Sequence, residues 1–173
     1  MQKLLTCFNH YYHYHTKKAT LWTHLIGVPL VTLSLMIVLA WLKIVIPGMF
    51  QTNLAWLSVL GLMIYYFSLD TGLGCATSIL LIVLCTIASL LSRLGPSILS
   101  FGVFLITFTL GWIFQIAGHM IEGKKPALLD HLSLALIAPM FIVAEVFFML
   151  GYRHDLQRKM QNTQHEHPHS TSK

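Results

Sequence analysis

The sequence predicts an all-α integral membrane protein, a small bundle of four to five transmembrane helices. Of its 173 residues, 55% are hydrophobic and only 10% are charged, whereas soluble proteins carry about 25% charged residues. The mean hydropathy is +0.69. The charges gather near the termini and in short islands, and long uncharged apolar stretches lie between them. Residues 1–153 are therefore predicted to form a single transmembrane domain.

Five apolar segments follow one another along the chain. We place the spans at about residues 25–46, 54–69, 72–91, 97–117 and 132–152. Because a spanning helix needs about 20 apolar residues, the second segment is short and the other four are long enough. Only Asp70-Thr71-Gly72 separates the second segment from the third. This spacing predicts a tight helical hairpin.

The two ends of the chain differ from the apolar middle. Residues 1–19 are polar and aromatic and are predicted to form an interfacial helix, whereas residues 154–173 form a polar tail that we expect to be disordered. Arg153 follows the fifth segment, and a complete crossing would place it on the far side, against the cytoplasmic preference of basic residues. We therefore favour a helix that is kinked or re-entrant at Pro139.

Charge also indicates the orientation and the partners. Four spans separate the histidine-rich N-terminal segment from residues 115–126, so both are predicted to lie on one face of the membrane. Lys17, Lys18, Lys124 and Lys125 identify that face as cytoplasmic. The membrane would be a bacterial inner membrane or the endoplasmic reticulum. Because the basic residues flank apolar segments and form no continuous stripe, a lipid bilayer is the expected partner and nucleic acid is not.

The first cluster of candidate functional residues precedes and enters the first span. Tyr11 and His15 are four residues apart and would share a helix face. His15 and His24 are nine apart, which places them on opposite faces of one continuous helix. Both can reach one metal only if the chain turns between them, and Thr20 as a helix N-cap would provide the turn. An interfacial anchoring role explains the two imidazoles equally well.

The second cluster ends the fourth span. Gln115, His119 and Glu122 have i, i+4, i+7 spacing and therefore project from one helix face. Gly118 removes a side chain beside His119 and lets another helix or a ligand approach closely. A polar triad at the end of an apolar span is costly unless partners, a metal or a substrate satisfy it. The alternative is a polar helix end without further function.

Glu145 lies within an apolar stretch of the fifth segment. A buried carboxylate must pair, take up a proton or bind a cation. It would either orient a metal-bound imidazole or pair with a Lys or Arg as a structural tie. The residues alone leave these two roles open.

Together these motifs resemble the membrane 2-hydroxy fatty acid dioxygenases, the Mpo-type family. The resemblance covers nearly the whole chain, and both histidine motifs stand at matching places relative to the apolar spans. The motifs are Tyr11-x3-His15-x8-His24-Leu-Ile-Gly-Val-Pro29, Gln115-x2-Gly118-His119-x2-Glu122-x3-Pro126-Ala127 and Pro139-x5-Glu145. Two positions depart from the family: Thr20 stands where many members have Asn, and Lys18 where they have Pro.

The resemblance implies an Fe(II)-dependent enzyme that uses O2 to shorten a 2-hydroxy fatty acid by one carbon at the membrane interface. It implies His15, His24 and His119 as iron ligands, with Glu122 as a fourth ligand or a group beside the ligands. We expect further residues to support the ligands or the substrate, and the lysines among them to attract the substrate carboxylate: Tyr11, Thr20, Gln115, Glu145, Lys17, Lys18, Lys124 and Lys125.

Two other functions are considered. A histidine-box di-iron lipid hydroxylase or desaturase needs several histidine boxes, and few histidines stand beside the spans of this chain. A non-catalytic metal or proton carrier should have ionisable groups at mid-membrane depth in several spans. The first four spans contain almost none, and the polar groups gather at one face. Both observations favour an interfacial enzyme.

Overall fold

The computed structural model describes residues 4–8, 17–47, 50–123 and 132–166. Most of these residues are helical, including residues 4–8. The elements are α1 (Lys18–Trp41), β1 (Lys43–Ile46), β2 (Phe50–Asn53), α2 (Leu54–Leu69), α3 (Thr71–Leu91), α4 (Ile98–Glu122), α5 (Leu132–Met149) and α6 (His154–Glu166).

Three of the described helices are long and apolar enough to cross a membrane, with spans at Ala19–Trp41, Thr71–Leu91 and Ile98–Glu122. A bent pair formed by α5 and α6 is a fourth candidate. Helix α2 has 16 residues, a length of about 24 Å at 1.5 Å per residue, which is shorter than a hydrocarbon core of about 30 Å. The predicted class, a small helical membrane bundle, is confirmed.

Helices α1 and α4 form the most extensive helix pair of the bundle. Glycines allow their backbones to approach. A Cβ added to Gly111 would lie 2.7 Å from Val31 Cγ2 and 2.9 Å from Val31 N, and one added to Gly27 would lie 3.0 Å from Gly111 O. Small residues at such a contact let helices associate in lipid, where van der Waals packing drives association.

A single residue connects α2 and α3. Asp70 is the C-cap of α2 and the N-cap of α3, and its Oδ1 accepts a hydrogen bond of 2.9 Å from Leu73 N. Gly74 allows the hairpin to close tightly, because an added Cβ would lie 3.1 Å from the backbone of Tyr66. The predicted tight hairpin is confirmed.

The first span ends earlier than the sequence suggested. Helix α1 stops at Trp41, and residues 43–46 pair with 50–53 as an antiparallel hairpin with Lys43 opposite Asn53. The prediction of a helix up to residue 46 is wrong because Ile44-Val45-Ile46 is β-branched throughout, and β-branched residues favour an extended, pleated backbone.

Helix α5 is held near the α2–α3 hairpin both near its start and just beyond its end. Near its start, Leu136 O accepts a hydrogen bond of 2.5 Å from Tyr66 Oη, and just beyond its end Arg153 pairs with Asp70 at 2.6 Å. Tyr66 is one turn from Asp70, so both ends of α5 lie near the same end of the α2–α3 hairpin. This arrangement fits the re-entrant alternative.

Helix α5 has no break at Pro139, which lies inside it. A turn of 115° separates the helix ending at Met149 from the one beginning at His154. Gly151 and Arg153 make this turn with φ values of 81° and 61°. A left-handed backbone, which glycine adopts without steric cost, redirects the chain at this turn. The kink at Pro139 stays a prediction.

The predicted disordered tail begins too early. Residues 154–166 form α6, and Leu156 and Met160 are buried in the core. These two side chains are four residues apart and share one helix face, so their burial anchors an otherwise polar segment. The prediction of disorder is wrong for residues 154–166, and residues 167–173 lie outside the described part of the chain.

Candidate metal centre

Two histidines meet where the start of α1 packs against the end of α4. His24 is 1% exposed and His119 is 8% exposed. Their Nε2 atoms are 3.4 Å apart, and the two rings are nearly perpendicular, at 88°, with centroids 4.9 Å apart. His24 and His119 therefore lie at the same end of the bundle, as the count of spans predicted.

The tautomer of His24 follows from its other ring nitrogen. Nδ1 lies 2.9 Å from Thr20 O, and a carbonyl oxygen can only accept a hydrogen bond. Nδ1 is therefore the protonated nitrogen of the neutral ring, and Nε2 presents its lone pair to His119. Holding one imidazole nitrogen by a backbone carbonyl is the usual way in which proteins orient a metal-binding histidine.

The distance between the two Nε2 atoms fits a shared metal ion better than a direct hydrogen bond. At 3.4 Å it exceeds the usual range of about 2.7–3.2 Å for a nitrogen donor. Two imidazole nitrogens on one ion, each at about 2.1 Å and at a tetrahedral angle, are about 3.4 Å apart. Buried imidazoles are also suitable donors for non-haem iron. The residues present therefore fit a transition-metal ion.

Gly118 makes this approach possible. A Cβ added at Gly118 would lie 2.4 Å from Thr23 Oγ1, 2.6 Å from His24 Cε1 and 2.7 Å from His24 Nδ1. Real Cβ atoms are not found this close to other heavy atoms. The sequence prediction of a close approach beside His119 is confirmed, and the element that approaches is α1.

Glu122 ties the end of α4 to the beginning of α1. Its Oε2 accepts hydrogen bonds from Thr20 Oγ1 at 2.7 Å and from Lys17 N at 3.2 Å. Lys17 Nζ donates to Ile121 O at 2.5 Å. Because a carboxylate is favourable at a helix N-terminus and an ammonium group at a C-terminus, both contacts complement the two helix dipoles.

The sequence predicted Thr20 as the N-cap of α1, but Thr20 does not cap this helix. The helix begins at Lys18 with Lys17 as the N-cap, and no side chain of that residue closes the end. Glu122 of the neighbouring helix satisfies the N–H group of Lys17 instead. The N-cap prediction is wrong because a partner supplied by tertiary packing is not visible in the local sequence.

The remaining predicted residues are distributed as follows. Gln115 packs beside Gly27 of α1, where its Cγ would lie 3.2 Å from an added Cβ. Gln115, His119 and Glu122 thus face α1 together. Glu145 is partly buried in α5 and makes no hydrogen bond or ion pair with any residue that the structure describes. Four predicted residues lie outside the described ranges, namely Tyr11, His15, Lys124 and Lys125.

Sequence reasoning missed Thr23. Its Oγ1 donates to Thr20 O at 2.8 Å and lies 3.4 Å from His24 Nδ1. The only signal was a hydroxyl next to a candidate ligand.

Within residues 4–8, 17–47, 50–123 and 132–166, no three His, Cys, Asp or Glu side chains come together as a metal-binding group.

The Thr20 hydroxyl can be tested separately from the imidazoles. Thr20→Val keeps the shape and the backbone carbonyl but removes the hydrogen bond to buried Glu122. We expect the free energy of unfolding to fall by about 1–3 kcal/mol and iron affinity to fall by about 10–100-fold. Thr20→Ser should restore both. Equal unfolding and iron titration curves for Thr20→Val and the wild type would show that this contact does not position the site.

Comparison with known proteins gives the family. The family model described as 2-hydroxy-palmitic acid dioxygenase Mpo1-like matches residues 1–150. The chain is 33% identical over 167 residues to the 2-hydroxy-palmitic acid dioxygenase MPO1 of Saccharomyces cerevisiae, covering 90% of this chain and 89% of the yeast protein. No solved structure matches it. The resemblance seen in the histidine motifs is thereby confirmed, and the chain belongs to the Mpo1-like family.

Proposed function

We propose that this protein is an Fe(II)-dependent dioxygenase that shortens 2-hydroxy fatty acids by one carbon at the surface of a membrane. The enzyme class and the substrate class are supported by membership of a family described as 2-hydroxy-palmitic acid dioxygenases. The observation that carries the metal is the pair of buried imidazoles, with Nε2 atoms 3.4 Å apart.

His24 and His119 would hold the iron, and His15 is proposed as the third ligand. When bound, the iron would supply the redox chemistry that allows O2 to react with a 2-hydroxy carboxylate. Imidazole ligands with open positions suit this type of non-haem centre. Glu122 is proposed to act beside the ligands, because its Oε2 already accepts hydrogen bonds from Thr20 and Lys17.

The protein's own groups prepare the site for this role. Thr20 O holds the proton on His24 Nδ1, so that Nε2 is free of a proton and directed at His119. Thr20 Oγ1 and Glu122 fasten α1 to α4 and keep the two rings at their distance. Because these groups are buried, their positions are fixed before the substrate binds, which reduces the cost of reorganisation.

The location of the pair suits an amphiphilic substrate. His119 is buried near the end of α4, whereas its neighbours Ile116, Met120 and Ile121 are 48%, 77% and 42% exposed. These apolar side chains would face lipid, so an acyl chain can lie along them in the bilayer while the carboxylate reaches the imidazoles. Lys18, Lys124 and Lys125 are proposed to attract that carboxylate, while the Lys17 ammonium contacts Ile121 O.

The basic residues flanking both histidine motifs support a cytoplasmic position for the site. The membrane would be a bacterial inner membrane or the endoplasmic reticulum. The overall reaction balances without a further reductant, because a 2-hydroxy acid and O2 give the shorter acid, CO2 and water. The four electrons that reduce O2 all come from the substrate.

The experiment is an O2-consumption assay on purified protein loaded with Fe(II) without air. We expect 2-hydroxyhexadecanoate to consume one O2 for each pentadecanoate formed, as measured with an oxygen electrode and by mass spectrometry. Hexadecanoate, which lacks the hydroxyl group, is the matched control and should consume none. Bound iron without O2 consumption would contradict the dioxygenase and would favour a carrier.

A further inference from the structure

The opposite end of the bundle contains a polar cleft of about 470 Å³. Ser92, which lines it, donates to Ile37 O of α1. Ile37 is thirteen residues from His24, or about 20 Å along the helix. The cleft is therefore separate from the histidine pair. Its lining residues are Ala40, Lys43, Gln51, Thr52, Asn53, Trp56, Ser89, Ser92 and Arg93.

The cleft carries positive charge. Lys43 and Arg93 both line it, and none of the described residues lining it is acidic. Lys43 Nζ donates a hydrogen bond of 2.7 Å to Arg93 O, so the Lys43 ammonium group lies beside the backbone of Arg93. Within the described ranges the Arg93 guanidinium has no carboxylate partner, since Asp70 pairs with Arg153. These two neighbouring cations make this face attractive to an anion.

The other polar groups are mostly fixed within the protein. Asn53 Nδ2 donates to Ser89 Oγ at 3.2 Å, and Asn53 Oδ1 caps α2 by accepting from Trp56 N. These contacts make the wall rigid. Gln51 is exposed in the cleft with donor and acceptor atoms at its end. The wall thus combines two cations with a neutral group suited to hydroxyls.

A second, apolar cleft of about 550 Å³ adjoins the first at Arg93. Its lining residues are Leu90, Leu91, Arg93, Leu94, Ser97 and Leu99. Leu94 is 89% exposed and Leu99 is 68% exposed. A soluble anion would use the polar cleft alone. An anion that carries an acyl chain would occupy both clefts, with Arg93 at the boundary.

We propose that these joined clefts bind an anionic phospholipid of the phosphatidylglycerol type. The phosphate contacts Arg93 and Lys43, because a guanidinium matches phosphate oxygens in a two-pronged contact and a lysine adds a point charge. Gln51 faces the glycerol hydroxyls of the headgroup. One acyl chain covers the leucines of the apolar cleft. The site is independent of the proposed dioxygenase centre at the other end of α1.

The test is a thermal unfolding titration of the full chain in a neutral detergent. The probes are dioctanoyl phosphatidylglycerol, dioctanoyl phosphatidylcholine and inorganic phosphate. We expect phosphatidylglycerol to raise the Tm saturably, phosphate to act only at much higher concentration, and phosphatidylcholine to have little effect. Equal effects of both lipids would overturn the anionic site, and phosphate acting as well as phosphatidylglycerol would overturn the role of the acyl chain.

Variants locate the site. Arg93→Gln should weaken phosphatidylglycerol binding at least about tenfold, because it removes a charge-assisted contact. Arg158→Gln, at an exposed position in α6, is the matched control and should bind as the wild type does. If Arg93→Gln does not fold, Lys43→Gln, at an exposed position in the lining of the cleft, provides the same test. Undiminished binding in a folded Arg93 or Lys43 variant would refute the proposal.

Discussion

His24→Ala and His119→Ala are each expected to abolish stoichiometric iron retention and to lower turnover of 2-hydroxyhexadecanoate by more than about a hundredfold. The Nε2 atoms of these residues face each other at 3.4 Å in a buried place. Removing either ring takes away a proposed ligand, and even changes to groups behind a ligand cost about 10–100-fold in metal affinity or activity. Iron is measured by elemental analysis after anaerobic loading and gel filtration.

The matched control for this experiment is His154→Ala, because His154 is exposed at the start of α6. It should retain iron and activity like the wild type. The protein is prepared without a polyhistidine tag and with His165, His167 and His169 changed to Gln in every sample, so that the tail binds no metal. A folded His24→Ala or His119→Ala protein that keeps one equivalent of iron would refute the ligand assignment.

Gly118→Ala adds only one methyl group, but we expect it to have the second largest effect on iron affinity, turnover and stability. The new Cβ would lie 2.4 Å from Thr23 Oγ1 and 2.6 Å from His24 Cε1. The helices must separate or His24 must move. Such overpacking costs about 1–3 kcal/mol of stability, and a displacement of about 1 Å at a reacting centre can cost about a hundredfold in rate. We expect lower iron affinity, lower turnover and a lower Tm.

Two other glycines of α4 separate loss of stability from loss of the site. Gly102→Ala meets no atom within 4 Å, so it should leave both stability and activity nearly unchanged. Gly111→Ala would place its Cβ 2.9 Å from Val31 N, in the same helix contact but away from the histidines. Gly111→Ala should lower the Tm about as much as Gly118→Ala does, but it should bind iron more tightly than Gly118→Ala. If Gly118→Ala matched Gly102→Ala in iron titration and turnover, the close approach at Gly118 would not matter for the site.

Much of the bundle could be predicted because apolar length and breakers are local properties. The hairpin around Asp70 followed from the short connection Asp70-Thr71-Gly72 between two apolar segments. The cap that Asp70 provides was found only in the structure, where its Oδ1 accepts a hydrogen bond from Leu73 N. The bend after Met149 and the burial of Leu156 were not readable, because short segments gain their conformation from packing against the rest of the chain.

The candidate metal site could likewise be predicted only in part from the sequence. The i, i+4, i+7 spacing of Gln115, His119 and Glu122 placed them on one helix face, and the span count placed His24 on the same side of the membrane. The sequence also marked Gly118 as a point of close approach. Neither the direct contact of Thr20 with Glu122 nor the carbonyl that holds His24 could be foreseen, because each depends on the rotation of α1 against α4.

Composition and spacing by themselves determined the membrane class, the approximate spans and which polar residues of α4 share one helix face. These properties depend on how much apolar surface each segment must keep from water and on which residues share a face. Only the tertiary structure decided which atoms meet: the 3.4 Å distance between the histidines and the joined clefts at Arg93. The reason is that both depend on how distant parts of the chain pack together, and the two histidines are 95 residues apart.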